Sequence, residues 1–286
     1  MSAPPSARRA AGDVVGDGTP VADFDYELPP ERIALRPAAP RGASRLMVVE
    51  PGSRRWTHDQ FRRLPEWLRA GDLLVRNDTK VFPARLEGRT SGGRRMEVLL
   101  VRREECGNGG ETWSCLARPG RRLRSGEPLA LPGGIRGTWL EPIGELRRIR
   151  LFSDRPILDV VEEVGEVPLP PYIRRPADAA DRRSYQTIYA RAVGSVAAPT
   201  AGLHFTPEVF DGLARRGVEC RSLTLHVGPG TFLPVRATSV EAHRMLPEEV
   251  EIPEETVQAV LGARREGRRV IAVGTTTVRA LEGMLR

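Results

Sequence analysis

From Arg76 to about Ser153 the chain is almost entirely short, strand-like segments punctuated by glycine and proline. The segments are V-F-P-A-R-L-E-G, R-M-E-V-L-L-V-R, T-W-S-C-L-A-R, P-L-A-L-P, I-R-G-T-W-L and L-R-R-I-R-L-F. They recur at roughly 8–12-residue spacing, the pattern of a small barrel or sandwich. An all-β module is therefore expected here, whatever surrounds it.

The chain on either side follows a different period. From Asp23 to about Val75, D-F-D-Y-E-L opens as a polar-apolar alternation, Pro29 and Pro30 start a helical turn reaching Leu35, and R-L-M-V-V-E predicts a buried strand. Over 58–68, Phe61, Leu64 and Leu68 share helical spacing, with Pro65 dividing it into two pieces, and L-L-V after Gly71 and Asp72 predicts a strand. Beyond Pro156, helical periodicity returns in I-L-D-V-V-E-E-V and over 181–192, 207–216 and 253–266, alternating with strands at 222–227 and 270–273. Such alternation builds a parallel or mixed sheet. The expected fold class is α/β with an inserted all-β barrel domain. Its parts are a disordered tail over 1–22, a discontinuous α/β domain over 23–75 and 154–286, and the barrel over 76–153.

Composition narrows the setting. With 286 residues, 40% hydrophobic and 28% charged, the chain can bury a sizeable core and reads as a soluble globular protein. No apolar run approaches the roughly 20 residues that span a bilayer, so a membrane-integral protein is not expected. The first twenty residues hold no apolar stretch of signal-peptide length, and Asp13 and Asp17 argue against a transit peptide. Cys106, Cys115 and Cys220 lack C-x-x-C spacing, which predicts free thiols in a reducing compartment, the cytoplasm, rather than disulfides or zinc. The net charge of +7 suits an anionic partner such as RNA. A single lysine, Lys80, among 44 basic residues also points to a compositional bias toward arginine.

Two mostly uncharged segments hold candidate chemistry. In G-S-V-A-A-P-T-A-G-L-H-F-T, 194–206, Thr206 and Pro207 form a helix start, so His204 precedes free amides and a partial positive charge that suit a carboxylate or another electron-rich group. A hydrogen-bonded histidine in a buried loop fits the same residues. In L-T-L-H-V-G-P-G-T-F, 223–232, His226 stands at the carboxyl end of a strand, where ligands bind in open α/β sheets. A strand histidine beside an ordinary G-P-G turn fits equally. V-I-A-V-G-T-T-T-V-R-A-L-E, 270–282, is strand, turn and helix, with Gly274 permitting close approach and Thr275, Thr276 and Thr277 supplying hydroxyls. It lacks the G-x-G-x-x-G and Walker patterns, so a simple capped turn remains open. Asn77, Asp78, Thr79 and Lys80 fall at the domain junction, where pockets form, or make an Asx turn. His243, on an expected short helix, and His58 have no supporting context.

Taken in order, D-F-D-Y-E-L-P, N-D-T-K-V-F-P-A-R-L, G-G-R-R-M-E-V-L-L, V-P-L-P-P-Y-I, D-R-x-x-Y-Q-T-I-Y-A, A-A-P-T-A-G-L-H-F, T-L-H-V-G-P-G-T-F and V-I-A-V-G-T-T-T-V-R-A-L-E resemble the S-adenosylmethionine:tRNA ribosyltransferase-isomerase family of queuosine biosynthesis. The resemblance runs from Asp23 to the end of the chain. It implies an enzyme that uses S-adenosylmethionine as a ribosyl donor. The implied acceptor is 7-aminomethyl-7-deazaguanine in a tRNA anticodon, and the products are epoxyqueuosine-tRNA, adenine and methionine. No metal and no membrane partner are implied, and a monomer is expected.

Under this resemblance His204 and His226 are the expected catalytic pair, exchanging protons near neutral pH. Thr200, Gly202, Gly228, Gly230 and Thr231 would shape the pocket, while Gly274, Thr275, Thr276, Thr277 and Arg279 would contact nucleoside or carboxylate, which arginine grips bidentately. Tyr172, Tyr185 and Tyr189 are candidates for base stacking or for packing. Charge alone nominates Arg94, Arg95, Arg102 and Arg103 of the barrel as anticodon-stem contacts. Members of the family continue past V-G-T-T-T-V-R-A-L-E to an Asn-Phe-His-Leu-Pro segment, whereas this chain stops at Arg286, so a wall of the site is expected to be missing or supplied by a partner. A non-catalytic tRNA-binding remnant and ribosyl transfer to a free 7-deazapurine are the other readings.

Overall fold

The computed structural model describes residues 18–107, 110–120 and 123–284. They fall into two compact units, the chain up to 32 with 234–245, and 33–233 with the chain from 246 onward.

In the first unit, Pro20 and Ser239 form an antiparallel bridge. The Thr19 amide donates to the Glu241 carboxylate at 2.8 Å, and Val21 N–H donates to the Thr238 carbonyl at 2.9 Å. The tail expected over 1–22 lies outside the described residues as far as 17, and these bonds hold 18–22 in place, against the expectation of disorder there. D-F-D-Y-E-L makes no strand. Val21–Phe24 and Pro30–Arg32 are 3-10 turns, and the alternating apolar side chains Phe24, Tyr26 and Leu28 stay exposed because no second strand meets them. His243 follows a turn rather than lying on a helix.

The second unit opens with a hairpin, β1 (Arg45–Glu50) and β2 (Arg55–Gln60), in which Met47 faces His58 and Val49 faces Trp56. R-L-M-V-V-E is thus a strand but not a buried one. The hairpin pairs only with itself, and Met47 and Val49 remain exposed. The same pairing draws residues 58–60 out of the expected helical stretch, which survives as a 3-10 turn at Phe61–Arg63 and α1 (Leu64–Trp67).

Next, β3 (Leu73–Asn77) runs almost directly into β4 (Thr79–Val81). Six strands follow: β5 (Arg85–Thr90), β6 (Arg95–Gly107), β7 (Gly110–Arg118), β8 (Pro128–Ala130), β9 (Arg136–Ile143) and β10 (Leu146–Phe152). They bond in the order β10-β7-β6-β5-β8-β9, and β9 pairs back onto β10, so the sheet closes on itself. It begins at Arg85 rather than Arg76, because V-F-P-A-R-L-E-G is split between β4 and β5. Alternate side chains such as Leu86, Val98, Leu100, Ile149 and Leu151 point inward with at most 1% exposure. Each such burial stabilises by about 1.5–3 kcal/mol. Cys115 joins them, and burial pushes its thiol pKa up, which makes it packing rather than chemistry. Helix α2 (Ile157–Val164) packs Ile157, Val160 and Val161 against the same core.

The remaining elements are α3 (Asp181–Ser184), β11 (Ala192–Ser195), α4 (Pro207–Arg215), β12 (Glu219–Leu225), β13 (Val250–Glu251), α5 (Glu254–Arg265), β14 (Val270–Ala272) and α6 (Gly274–Met284). A mixed sheet of order β13-β12-β3-β14 has β12 and β14 parallel to β3 and β13 antiparallel. Strand alternation sends Leu73 and Val75 toward α5 and α6, and Leu74 toward α4, so the sheet is covered on both faces. The helix expected over 181–192 ends at Ser184. Gln186 bonds both backbone groups of Val81, accepting its N–H at 3.0 Å and donating to its carbonyl at 2.9 Å, so the chain leaves the helix to run beside β4.

Candidate functional site

His226 follows the last residue of β12 and is held by residues far away in sequence. Asn77, at the end of β3, accepts Leu225 N–H at 3.0 Å and donates to the Leu225 carbonyl at 2.9 Å, which stitches the ends of the two strands together. The same Asn77 oxygen accepts Thr79 N–H at 3.1 Å in an Asx-type turn. That turn puts Thr79 Oγ1 2.8 Å from His226 Nδ1 and 2.7 Å from Ser195 Oγ, and Ser195 Oγ accepts Val227 N–H at 2.8 Å. Asp78 is spent on structure, accepting Thr224 O–H at 2.6 Å and pairing with Arg191 at 3.0 Å.

The imidazole lies against Gly194, where a β-carbon would meet its ring atoms at 2.7 Å. With Nδ1 occupied, Nε2 is the nitrogen free to act. Burial lowers the His226 pKa, against the raising influence of Glu249, Asp78 and Glu251, which favours the neutral ring.

His226 lines a cleft of about 300 Å³. Gly194, Gly228 and Pro229 share its wall. Arg102, Glu104, Ser114 and the β9–β10 turn, Ile143–Leu146, come from the closed sheet, and Leu246–Glu249 form the third side. The charged lining of the cleft is Glu104, Glu145, Glu248, Glu249 and Arg102. Arg148 pins Glu104 from behind at 2.7 Å, and Arg102 reaches Glu249 at 3.3 Å.

The structure disperses the other expected site residues. His204 ends a 3-10 turn, Thr200–His204, with its ring 5.3 Å from that of Phe61, and it is not among the residues lining the cleft. Burial, then the Arg41 charge, lowers its pKa. Thr200 is exposed, and Gly202 is packed under Thr187 and Tyr189. Tyr185 is buried, Tyr189 sits beneath Arg76 at 4.4 Å, and Tyr172 is exposed. Gly274, at φ +80°, starts α6 against Ala201; Thr277 Oγ1 donates to the Val273 carbonyl at 2.9 Å, while Thr275 is exposed. Gly230 packs over Leu246, and Thr231 is exposed.

Arg279 does grip a carboxylate, but one of the chain's own. It pairs with Glu248 at 2.5 Å and donates to the Leu246 carbonyl at 2.8 Å, while Glu248 accepts Gly228 N–H at 2.8 Å. Arg279 therefore fixes the third side of the cleft. The four barrel arginines form no single patch. Arg95 and Arg102 lie about 23 Å apart at the rise of a strand, and Arg102 alone lines the cleft, with Arg103 turned to Glu111 at 3.8 Å.

Sequence reasoning missed Gly194, Ser195 and Glu248. The first two open the very segment that carries His204, yet they serve His226.

Among the described residues no group of three or more His, Cys, Asp or Glu side chains is placed to hold a metal, and no helix is long and apolar enough to cross a membrane. A family model described as queuosine biosynthesis protein matches residues 21–286. The S-adenosylmethionine:tRNA ribosyltransferase-isomerase of Syntrophotalea carbinolica is 50% identical over 264 residues, 92% of this chain and 76% of that protein. The protein of the same name from Pelobacter propionicus is 48% identical over 265 residues, with the same shares. A crystal structure of S-adenosylmethionine tRNA ribosyltransferase from Thermotoga maritima aligns at 34% identity over 92% of this chain and 73% of that one, with a TM-score of 0.43.

Proposed function

The chain belongs to the queuosine biosynthesis protein family, and from that membership we propose that it transfers and isomerises the ribosyl moiety of S-adenosylmethionine onto 7-aminomethyl-7-deazaguanine in tRNA, giving epoxyqueuosine-tRNA, adenine and methionine. It acts in the cytoplasm, where its tRNA is found. The observation that supports this chemistry best is a histidine whose Nδ1 is held from behind by Thr79, on the wall of a cleft between the closed sheet and the end of β12.

Both reactants bring positive charge, the donor as a sulfonium and the acceptor as a protonated amine. The carboxylate oxygens of the cleft can accept hydrogen bonds from the protonated amine. The sulfonium acidifies the neighbouring 5′ carbon, and His226 Nε2 takes a proton there or from the acceptor amine. The imidazolium so formed returns a proton to departing adenine. Gly228 and Pro229 let the backbone approach the reactants, with Arg279 and Glu248 holding that turn in place. Arg102, exposed at the cleft, is the barrel arginine best placed to meet tRNA phosphate. His204 belongs to the packing around Phe61 in this reading, and proton transfer rests on His226.

Incubation with S-adenosylmethionine and either the modified tRNA or the free base, followed by measurement of adenine, tests the proposal. Release with tRNA alone is expected. Release with free base as efficiently as with tRNA redirects the acceptor, and no release with either, alongside tight tRNA binding, leaves a binding remnant and ends the proposal.

Gly194→Ala gives a second check. A β-carbon at 2.7 Å from the ring must push His226 off Thr79, and displacement of a reacting group by about 1 Å costs on the order of 100-fold in rate. Turnover should fall by about that factor with circular dichroism unchanged, and wild-type turnover would mean that the ring position is immaterial.

A further inference from the structure

Behind His226 stands a hydroxyl pair that no step above uses. Thr79 and Ser195 have 0% exposure, so each hydroxyl proton needs a protein acceptor. Of the two partners of Ser195 Oγ, Val227 N–H can only donate, so the Ser195 proton goes to Thr79 Oγ1, 2.7 Å away. Thr79 then has two places for its proton, His226 Nδ1 at 2.8 Å or the Ala192 carbonyl at 3.4 Å.

We propose that Thr79, oriented by Ser195, is the positioning residue that sets the tautomer of His226. This extends the reading of His226 as the proton-transfer group and rests on it. Thr79 O–H goes to the Ala192 carbonyl, and its oxygen, which already accepts from Ser195, accepts Nδ1–H as well, so every partner of the hydroxyl is used and Nε2 presents a lone pair. The same arrangement accommodates the imidazolium, because Nδ1–H keeps its acceptor after Nε2 has taken a proton. A single histidine can therefore take a proton at Nε2 and return it from Nε2, with Nδ1–H and both hydroxyl protons staying where they are.

The charged groups facing the ring are Asp78 from the β3–β4 connection and Glu249 and Glu251 from the segment around β13, with Arg102 and Glu104 across the cleft. The hydrogen-bond partner of Nδ1 is Thr79 Oγ1.

Nitrogen-15 NMR of His226 in the resting protein at pH 8, assigned by comparison with His226→Gln, reads the tautomer without any turnover. A protonated, hydrogen-bonded Nδ1 is expected in the wild type and a mixed tautomer in Thr79→Val. In the adenine-release assay Thr79→Val should lose about 10–100-fold in kcat, the usual cost of removing the outer partner of a functional histidine. Its KM for S-adenosylmethionine should stay within about 3-fold, its rate should depend on pH differently from the wild type, and Thr79→Ser should restore both. Ser195→Ala, which leaves Thr79 unoriented, should show a smaller loss of the same kind. An unprotonated Nδ1 in the wild type, or Thr79→Val with the wild-type tautomer and pH profile, overturns the assignment. If His226→Gln itself keeps full turnover, the reading of His226 fails instead, and the NMR result still decides the hydroxyl pair on its own.

Discussion

Replacing His226 with alanine is expected to lower S-adenosylmethionine-dependent adenine release by about 10²–10⁴-fold, the range for loss of a positioned acid–base group. The ring is only half-buried, and Thr79 and Ser195 keep each other as partners after its removal. Unfolding free energy should therefore change by no more than about 1 kcal/mol. His204→Ala makes the useful contrast. Its ring meets Phe61 rather than the cleft, so the expected loss is mainly in thermal stability, with turnover within about 5-fold of wild type. Single-turnover adenine release on the two variants decides the matter. If His226→Ala works at the wild-type rate, the cleft is not where protons move. If His204→Ala is the dead variant, the assignment belongs to the other loop.

The largest effect on stability is expected at Asp181. Its carboxylate has 3% exposure and takes two bonds from Arg175, at 2.6 and 2.7 Å, and one from the Asp178 amide at 2.9 Å. Arg175 in turn donates to the Leu35 carbonyl at 2.9 Å, so one buried pair ties the V-P-L-P-P-Y-I-R-R stretch to α3 and to the chain ahead of β1. Breaking such a pair from one side leaves a buried charge uncompensated and costs about 3–5 kcal/mol. Asp181→Asn should show that loss in urea titrations at pH 7.

The pH dependence follows from the same contact. Arg175 hydrogen bonding lowers the Asp181 pKa in the folded protein, against the opposing effect of burial. A lowered folded-state pKa means that the contribution is complete above the unfolded value near ~3.9 and is lost as pH falls through the folded one. Neighbouring Asp178 is held at about 2 by Arg36 and behaves alike. The gap between wild type and Asp181→Asn should thus be constant from pH 7 to about 5 and narrow below about 4. A gap that grew on acidification would contradict this account.

Much of the architecture could be read from periodicity. Period-two runs between Val81 and Phe152 became strands because their inward residues had a common interior to fill, and the apolar faces of 157–164, 207–215 and 254–265 became helices for the same reason. The failures share a cause as well. R-L-M-V-V-E has the composition of a buried strand, but whether a strand is covered depends on what lies beside it, and β1 pairs with β2 alone, which leaves Leu46 and Val48 half-buried and Met47 and Val49 exposed. Residues 185–192 have helical spacing, yet the Gln186 bonds to Val81 outweigh the weak propensity of a few residues.

The site shows the same division. Local chemistry alone marked His226, at a strand end before G-P-G, set Thr79 at a domain junction and gave Arg279 a carboxylate or nucleoside to hold, while Gly194 was passed over. Their pairing was beyond any local rule, since Thr79 and His226 stand 147 residues apart and meet only because β3 and β12 run parallel with their ends stitched by Asn77. The sequence by itself determined the family, the alternation of strands and helices, and the histidine at the strand end, because these follow from side-chain chemistry and short-range periodicity. Tertiary structure alone decided which histidine lies on the cleft, which carboxylate Arg279 holds, and which hydroxyl stands behind Nδ1. Those are distances between remote residues, set by strand register and packing, and no window of sequence contains them.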